Sequence, residues 1–273
     1  MPRKLILIEL NEINFDVVRR YLDLNADSLP AFRELMGRRA IVTTCEKVYE
    51  ELEPWIQWPS VHTGKTYAEH GVLRLGDIVQ CDAPQFFELF EEEGWRVGAV
   101  SPMNAANRMK RPAYFIPDPW TATPTDGSWW SKALSTAISQ AVNDNAQARI
   151  SPVSLLYLAL GLVRFASPRH YLSYLRLALG AGLAPWRKAL FLDLFLHDLH
   201  MRLLSKSNPD FSVLFLNAGA HIQHHYFFNA RPLGGEAEKV NPGWYVGQNE
   251  DPIFEMLMVY DRILRDYISQ SSF

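Results

Sequence analysis

Only two cysteines, Cys45 and Cys81, occur among the 273 residues, and two are too few for a disulfide framework. Neither lies in a Cys-x-x-Cys arrangement, so we expect free thiols rather than metal ligands. The N-terminus has no signal-peptide pattern, because its apolar run, 5–8, is short and leads directly to Glu9. These absences favour a cytoplasmic location.

An excess of basic residues is absent as well. The chain has 27 Lys and Arg against 30 Asp and Glu, a balance that disfavours nucleic acid as a partner. The apolar segments Val153–Phe165 and Tyr171–Leu183 are each shorter than the roughly 20 residues that cross a bilayer. We therefore expect no integral membrane protein, and packing of these segments against the core or a second copy of the chain is favoured over contact with a membrane.

Hydrophobic residues make up 48% of the chain, which is sufficient for a large core. Apolar strand patterns alternate with amphipathic helix patterns along most of the chain, which predicts an α/β fold: a three-layer wound, mostly parallel sheet with right-handed crossovers. The predicted strands are Lys4–Leu10, Ala40–Thr44, Trp95–Val100 and Phe211–Asn217. The predicted helices between and after them are Phe15–Leu22, Leu29–Met36, Pro84–Glu93 and Pro252–Ile268, while Ser101–Pro124 is predicted to be a loop.

Residues 128–207 interrupt this alternation, because they contain no strand candidate and have apolar residues at helical spacing. We predict three or four helices there. Pro152, Pro168 and Pro185 each fall near a predicted helix start, where proline is tolerated. The predicted organisation is a helical cap, 128–207, inserted into an α/β core formed by 1–127 and 208–273.

A motif runs from Trp58-Pro59-Ser60-Val61-His62-Thr63-Gly64-Lys65 to Glu69-His70-Gly71-Val72. It resembles the segment that follows the nucleophile in the alkaline phosphatase superfamily, in particular its type I phosphodiesterase and nucleotide pyrophosphatase branch. The resemblance implies an alkaline phosphatase-like core, divalent metal ions, and hydrolysis of phosphate or sulfate esters. The matching positions are Trp58, Ser60, Thr63, Gly64, Lys65, His70, Gly71 and Val72.

The family's first catalytic positions are altered in this sequence. Asn11 stands where the resemblance expects an Asp ligand, and an amide oxygen is a weak zinc ligand. Glu9 or Glu12 could replace it. Pro54 occupies the position of the nucleophile and cannot attack phosphorus. Glu53 could act instead as a general base for water, or its acidic cluster could be a solvated loop.

The family's second metal motif, Asp-x-x-x-His, corresponds here to residues 220–224, in which the His is retained and the Asp is replaced by Ala220. His221, His224 and His225 would share one side of a helix, where they either contact a metal or substrate or form structural hydrogen bonds. We predict a rearranged site for one zinc or manganese ion. Its ligands are Glu9, His221 and His224, with Glu53 as the base and with Asn11 and His225 in substrate binding.

Two functions follow from these residues. The first is a phosphoesterase-like, metal-dependent hydrolase of a small phosphate or sulfate ester; the alternative is a pseudoenzyme of the same fold that binds a ligand or a protein. The Asp-His-Gly motif and the last His that the resemblance implies are absent from the sequence. We therefore expect either the N-terminal part of a longer protein or a fold with half its site lost. An exposed sheet edge or the cap would then favour a homodimer.

Overall fold

The computed structural model describes residues 4–143, 150–233, 241–247 and 249–270. Contacts within the chain divide it into two compact units, each assembled from three separate stretches of sequence. Unit 1 consists of Met1–Glu9, Thr44–Pro168 and Phe195–Leu216. Unit 2 consists of Leu10–Thr43, Arg169–Leu194 and Asn217–Phe273.

A four-stranded parallel sheet lies almost entirely in unit 1, with the strand order β1-β4-β2-β3. Its strands are β1 (Leu5–Leu10), β2 (Val97–Val100), β3 (Tyr114–Ile116) and β4 (Phe211–Leu216). Every residue of β2, β3 and β4 is buried, as expected for strands whose two faces are both covered. Gly98 in β2 stands opposite Tyr114 on one side and Ser212 on the other.

Eleven α-helices are present in the described part of the chain. They are α1 (Phe15–Leu24), α2 (Pro30–Met36), α3 (Pro54–Thr63), α4 (Tyr67–His70), α5 (Phe86–Glu92), α6 (Trp129–Asn143), α7 (Pro152–Phe165), α8 (Tyr171–Gly180), α9 (Arg187–Ser207), α10 (Ala218–Tyr226) and α11 (Pro252–Gln270). Helices α3 to α7 belong to unit 1, helices α1, α2, α8, α10 and α11 belong to unit 2, and α9 has residues in both.

Each unit has its own packing centre. In unit 1, aromatic rings from α5, β3 and β4 fill the core, with Phe87, Phe115 and Phe211 all buried. In unit 2, α11 packs against α2 and α10. The carboxylate of Asp261 in α11 accepts hydrogen bonds from the backbone N–H groups of Ala31 and Phe32. It thereby satisfies two donors at the start of α2 that have no partner within that helix.

The α/β class is confirmed, and most predicted elements lie close to their predicted bounds. The predicted strand Ala40–Thr44 is wrong. This stretch has no regular structure, and Ile41 and Val42 are 84% and 94% exposed. Its β-branched residues favour extended backbone locally, but a strand also requires a hydrogen-bonded neighbour. Strand β3, conversely, lies within the predicted loop Ser101–Pro124, because three residues are too few to produce an alternating pattern.

Four α-helices lie in the described residues of 128–207, that is 128–143 and 150–207, in agreement with the prediction. Pro152 is the first residue of α7, and Pro185 precedes α9 by two positions. The assignment of 128–207 as a cap, the third layer and the alkaline phosphatase-like core stay predictions. Among the residues that the structure describes, no helix is both long and apolar enough to span a membrane.

Candidate functional site

The loop that follows β1 is held against the start of α10 within unit 2. Asn11 donates a hydrogen bond from Nδ2 to Oδ1 of Asn217, at 2.8 Å. Gln223 accepts from the backbone N–H of Asn14, at 3.1 Å, and donates to the carbonyl of Glu12. The sequence of the loop supports this arrangement, because the Asn14 side chain also accepts from the first turn of α1. Residues 11–14 therefore have a defined position relative to α10.

Glu12 is the residue of this loop that reaches the histidines. Its φ of +55° lies in the left-handed region, which a non-glycine residue rarely occupies and which is found more often at functional sites. In this conformation its carboxylate accepts a hydrogen bond from Nε2 of His224. In unit 2 the carboxylate next to the histidine cluster is therefore that of Glu12.

The three histidines of α10 all point away from the core. His221, His224 and His225 are exposed, and the rings of His221 and His225 lie 4.9 Å apart between centroids. The Tyr245 hydroxyl lies 3.3 Å from Nδ1 of His225. Partial desolvation, and to a smaller extent the neighbouring imidazoles, lower the pKa of His221. Its ring is therefore neutral at pH 7, which is the form that binds a metal ion.

A buried carboxylate fixes the first turn of α10. Asp193 accepts hydrogen bonds from the backbone N–H of Ala218, at 2.8 Å, and from the Tyr260 hydroxyl, at 2.6 Å. The same hydroxyl accepts from the backbone N–H of Gly219. Complete burial raises the pKa of Asp193 to about 6, although its hydrogen bonds act in the opposite direction. Asp193 and Tyr260 thus orient the helix that carries the histidines.

The donor chemistry of this cluster fits a zinc or manganese ion, since imidazole nitrogens and carboxylate oxygens are ligands of both. Glu12 and His224 form the one carboxylate and imidazole pair in direct contact there. Neither unit by itself brings three such ligand atoms within 4.8 Å of one another among its described residues. Glu12 and His224 are therefore candidate ligands, and a metal ion bound there would need further ligands from water, from substrate or from rotation of His221.

Buried imidazole and carboxylate groups that the sequence patterns did not select occur in both units. His197 and Asp198 are adjacent in α9 in unit 1, where Asp198 accepts from the Ser167 N–H at 2.7 Å. In unit 2, His170 lies 3.4 Å from the carboxylate of Asp266. Asp198 and His170 thus each have a polar partner within their own unit.

Glu9 and His62 form a buried pair in unit 1. His62 donates from Nε2 to Oε1 of Glu9, at 3.1 Å, and both side chains are almost completely shielded from solvent. The rings of Phe86 and Phe87 each lie 5.3 Å from the imidazole. Oε2 of Glu9 and Nδ1 of His62 have no hydrogen-bond partner in the described part of the chain. Glu9 thus stands in an aromatic environment, and its role as a metal ligand stays a prediction.

The two glycines of the 58–72 motif, Gly64 and Gly71, each follow the end of a helix in a left-handed conformation. Val72 N–H donates to Nδ1 of His70, so Nε2 carries the ring proton and donates to the Ser60 hydroxyl, at 3.0 Å. Desolvation lowers the pKa of His70, which keeps the ring neutral. His70 therefore cannot remove a proton from Ser60 through this contact. Helix α3 itself is capped at its C-terminus by Gly64, whose φ is +67°.

The residues at the start of α3 offer no nucleophile either. Pro54 is the first residue of this helix, a position that proline favours. Glu53 immediately precedes it, is exposed, and makes no side-chain hydrogen bond at the helix start. Its role as a general base stays a prediction.

The structure thus brings four of the predicted site residues into unit 2, namely Asn11, His221, His224 and His225, and it places Glu9 and Glu53 in unit 1. The contribution of Asp193 could not be predicted, because this residue lies within a continuous helical pattern. Glu12 was one of the two acids that the sequence offered in place of Asn11, because it lies in the turn directly after the first strand. A scan against models of known protein families finds no match for this chain, and a search of curated proteins finds none.

Proposed function

We propose that this protein is a metal-dependent hydrolase of small phosphate or sulfate esters, with its site on the loop after β1 and the exposed face of α10. The observation that carries the proposal is the contact between exposed His224 and Glu12, whose backbone is held in a left-handed conformation. An exposed imidazole and carboxylate add little to folding stability. A strained backbone that positions them is better explained by ligand binding.

Each residue of the cluster has a separate part in this proposal. Glu12 and His224 hold the ion, and His221 is the next available ligand. When bound, zinc or manganese would polarise an ester oxygen and lower the pKa of a coordinated water. His225 donates a hydrogen bond to an oxygen of the ester, whereas Asn11, which is buried and donates from Nδ2 to Asn217, holds the loop after β1 in position. Asp193 positions α10 and does not contact substrate. The metal role of Glu9 and the base role of Glu53 are proposals for unit 1.

A catalytically inactive protein that binds a phosphorylated ligand or a protein is the second candidate. It is favoured by Pro54 at the position where the resemblance to the alkaline phosphatase superfamily implies a nucleophile. It is also favoured by the Ser60 hydroxyl, which accepts a hydrogen bond from His70 and so has no base in contact with it through this ring. Under this alternative the cluster on α10 would bind a ligand without hydrolysing it.

Metal content and hydrolysis measured on the same preparations separate the two candidates. We expect the purified chain to retain about one zinc or manganese ion and to hydrolyse at least one of three nitrophenyl esters, a phosphomonoester, a phosphodiester or a sulfate. The variants Glu12→Gln and His224→Ala should lose the ion and about 100-fold in kcat/KM. Hydrolysis of none of the esters by a metal-loaded chain would favour the inactive alternative.

Two further variants serve as controls. Glu34→Gln in α2 makes the same chemical change as Glu12→Gln at a position away from the cluster in unit 2 and should leave metal content unchanged. His225→Ala should retain the ion but raise KM, because His225 is assigned to the substrate. If Glu12→Gln and Glu34→Gln retain metal equally, the cluster is not the metal site.

A further inference from the structure

One region of the sequence contains no acidic residue at all. Between Asp144 and Asp193, residues 145–192 carry five Arg and one Lys but neither Asp nor Glu. At the average frequency of the chain, 30 acids in 273 residues, a stretch of this length would contain about five. Because the whole chain has a net charge of -3, the rest of the molecule is more acidic than average. This region is therefore distinguished by its charge.

Helix α7, which lies in this region and in unit 1, exposes its apolar side chains. Its buried residues are Ser154, Gly161 and Phe165, and Gly161 allows close contact because an added Cβ would lie 2.7 Å from Leu134. Most of the residues of this helix that face solvent are aliphatic, including Val153, Leu155, Leu156, Leu160 and Val163. Leu156 is 55% and Val163 is 82% exposed. The usual distribution of polar and apolar faces is therefore inverted.

Aromatic and cationic side chains lie on and beside the exposed apolar residues of α7 in unit 1. The exposed Trp129 ring of α6 lies 5.7 Å from the ring of Tyr157 in α7, measured between centroids. At the end of α7, Arg164 lines a cavity of about 670 Å³ together with Arg202 and Lys206 of α9. None of these three cations forms an ion pair with a described carboxylate. They are available to bind anions.

The cavity itself favours an anionic group. Asp126 is the single carboxylate among the lining residues. Its oxygens accept hydrogen bonds from the Phe115 and Ser128 N–H groups and from the Ser131 hydroxyl. The Asp126 carboxylate therefore accepts from the protein's own donors, and no described carboxylate pairs with the three cations that line the cavity.

We propose that unit 1 docks on the surface of an anionic phospholipid bilayer through α7. The leucines and valines enter the boundary between headgroups and acyl chains, the Trp129 and Tyr157 rings lie at headgroup level, and the three cations bind lipid phosphates. Charge decides against a second copy of the chain as the occupant. A two-fold contact would place this cationic surface against itself, which is repulsive, whereas an anionic bilayer attracts it.

Helix α8, in unit 2, gives an independent indication of the same chemistry. Leu172, Leu175 and Leu179 are exposed on it, and Arg169 and Arg176 are the charged residues within and just before it. The inference goes beyond the proposed hydrolase activity and does not depend on it, because no residue of the α10 cluster takes part.

Sedimentation with sucrose-loaded vesicles tests the proposal. We expect the chain to bind vesicles of phosphatidylcholine with added phosphatidylglycerol at low salt, to bind more weakly at high salt, and to bind phosphatidylcholine alone weakly. Leu156→Glu should lower binding at least tenfold, and Arg202→Gln with Lys206→Gln should lower it about 30-fold on the anionic vesicles. Absence of binding to anionic vesicles at low salt overturns the proposal.

Leu89→Glu is the matched control. Leu89 is also exposed, at 44%, and lies on α5 of unit 1, so this variant changes the charge equally but away from α7 and should bind like the wild type. Equal binding by Leu156→Glu and the wild type would reject α7 as the docking surface. The proposal is also rejected if the chain does not bind vesicles but forms a dimer in light scattering that Leu156→Glu abolishes. Circular dichroism and melting temperature establish that each variant is folded.

Discussion

At the scale of single residues, Gly98 shows why one position in the sheet tolerates no side chain. A Cβ at Gly98 would lie 2.4 Å from Cζ of Tyr114. The Tyr114 ring cannot move aside, because its hydroxyl lies 2.5 Å from the Ser212 hydroxyl, which in turn lies 2.6 Å from Nε2 of His200. The ring therefore covers the glycine and is held there by a buried hydrogen-bond network.

Gly98→Ala should consequently lower the free energy of unfolding by about 3 kcal/mol, the upper part of the range for an overpacked core. Urea titration measures the change. Gly182→Ala is the control, because no atom lies within 4 Å of a Cβ at Gly182, and its effect should be within about 1 kcal/mol of zero. The prediction fails if the two alanine variants are equally stable.

Glu9 and His62 allow a second test at this scale, since the pair is buried among aromatic rings and each partner leaves one polar atom unsatisfied. Removing one partner leaves the other polar side chain buried in the core without a hydrogen-bond partner. We expect Glu9→Leu and His62→Phe each to cost about 3 kcal/mol, and the double variant to lie within about 1 kcal/mol of the wild type. A double-mutant cycle in urea measures this coupling. Additive costs would show that the pair does not act as a unit.

At the scale of secondary structure, helix α3 contains a proline, and a side chain distant in the sequence supplies the hydrogen bond that this proline cannot make. Pro59 has no N–H to donate to the carbonyl of Trp55, four residues earlier. Asn104 donates to that carbonyl from Nδ2 instead, at 2.7 Å. Its Oδ1 accepts from the Gly76 N–H, and its own N–H donates to Asp118. Asn104 is therefore a structural link between the loop after β2 and α3.

Asn104→Ala should lower the free energy of unfolding by about 3 kcal/mol, because it leaves the Trp55 carbonyl and the Gly76 N–H without hydrogen-bond partners. In the Pro59→Ala background the cost should be about 1 kcal/mol smaller, since residue 59 then has an N–H for Trp55. Unfolding of the four chains in urea measures the difference. Asn107→Ala is the control, because Asn107 bonds to the Pro124 and Thr125 carbonyls and should not couple to residue 59. Equal costs in both backgrounds would contradict this account.

The elements also show what sequence patterns can predict. Helices α1 and α11 follow directly from periodic apolar residues, and α5 from its flanking Pro84 and Gly94, so local signals determine them. Sequence patterns wrongly predict a strand at 40–44 and miss strand β3, because a strand is defined by hydrogen bonds to residues far away in the sequence. Residues 98 and 114 pair in the sheet, and no local pattern contains that information.

At the scale of the whole molecule, the same distinction applies to the candidate site. The histidines of α10 could be selected because three of them occur within five positions. The residues that orient them could not be selected, since Asn11 meets Asn217 and Asp193 meets Tyr260 only after folding. Both units are built from three separated stretches, so neighbours in the structure are seldom neighbours in the chain.

The dependence of stability on pH should reflect two buried groups with opposite effects. Burial lowers the pKa of His200 to about 3, against about 6.5 in the unfolded chain. As the pH falls below 6.5, only the unfolded chain takes up this proton, so stability decreases. Asp193, with a pKa of about 6 against about 3.9 when unfolded, takes up a proton first in the folded chain. It therefore increases stability as the pH falls from 6 to 4.

Replacing each group should therefore change the slope of stability against pH in opposite directions. We expect His200→Gln to lessen the loss of stability between pH 7 and pH 4, and Asp193→Asn to make it steeper, by up to about 1.4 kcal/mol per pH unit for each group. Urea unfolding at pH 4, 5, 6 and 7 measures the slopes, which are independent of any uniform cost of the substitutions. If both variants keep the wild-type slope, neither group titrates as its burial requires.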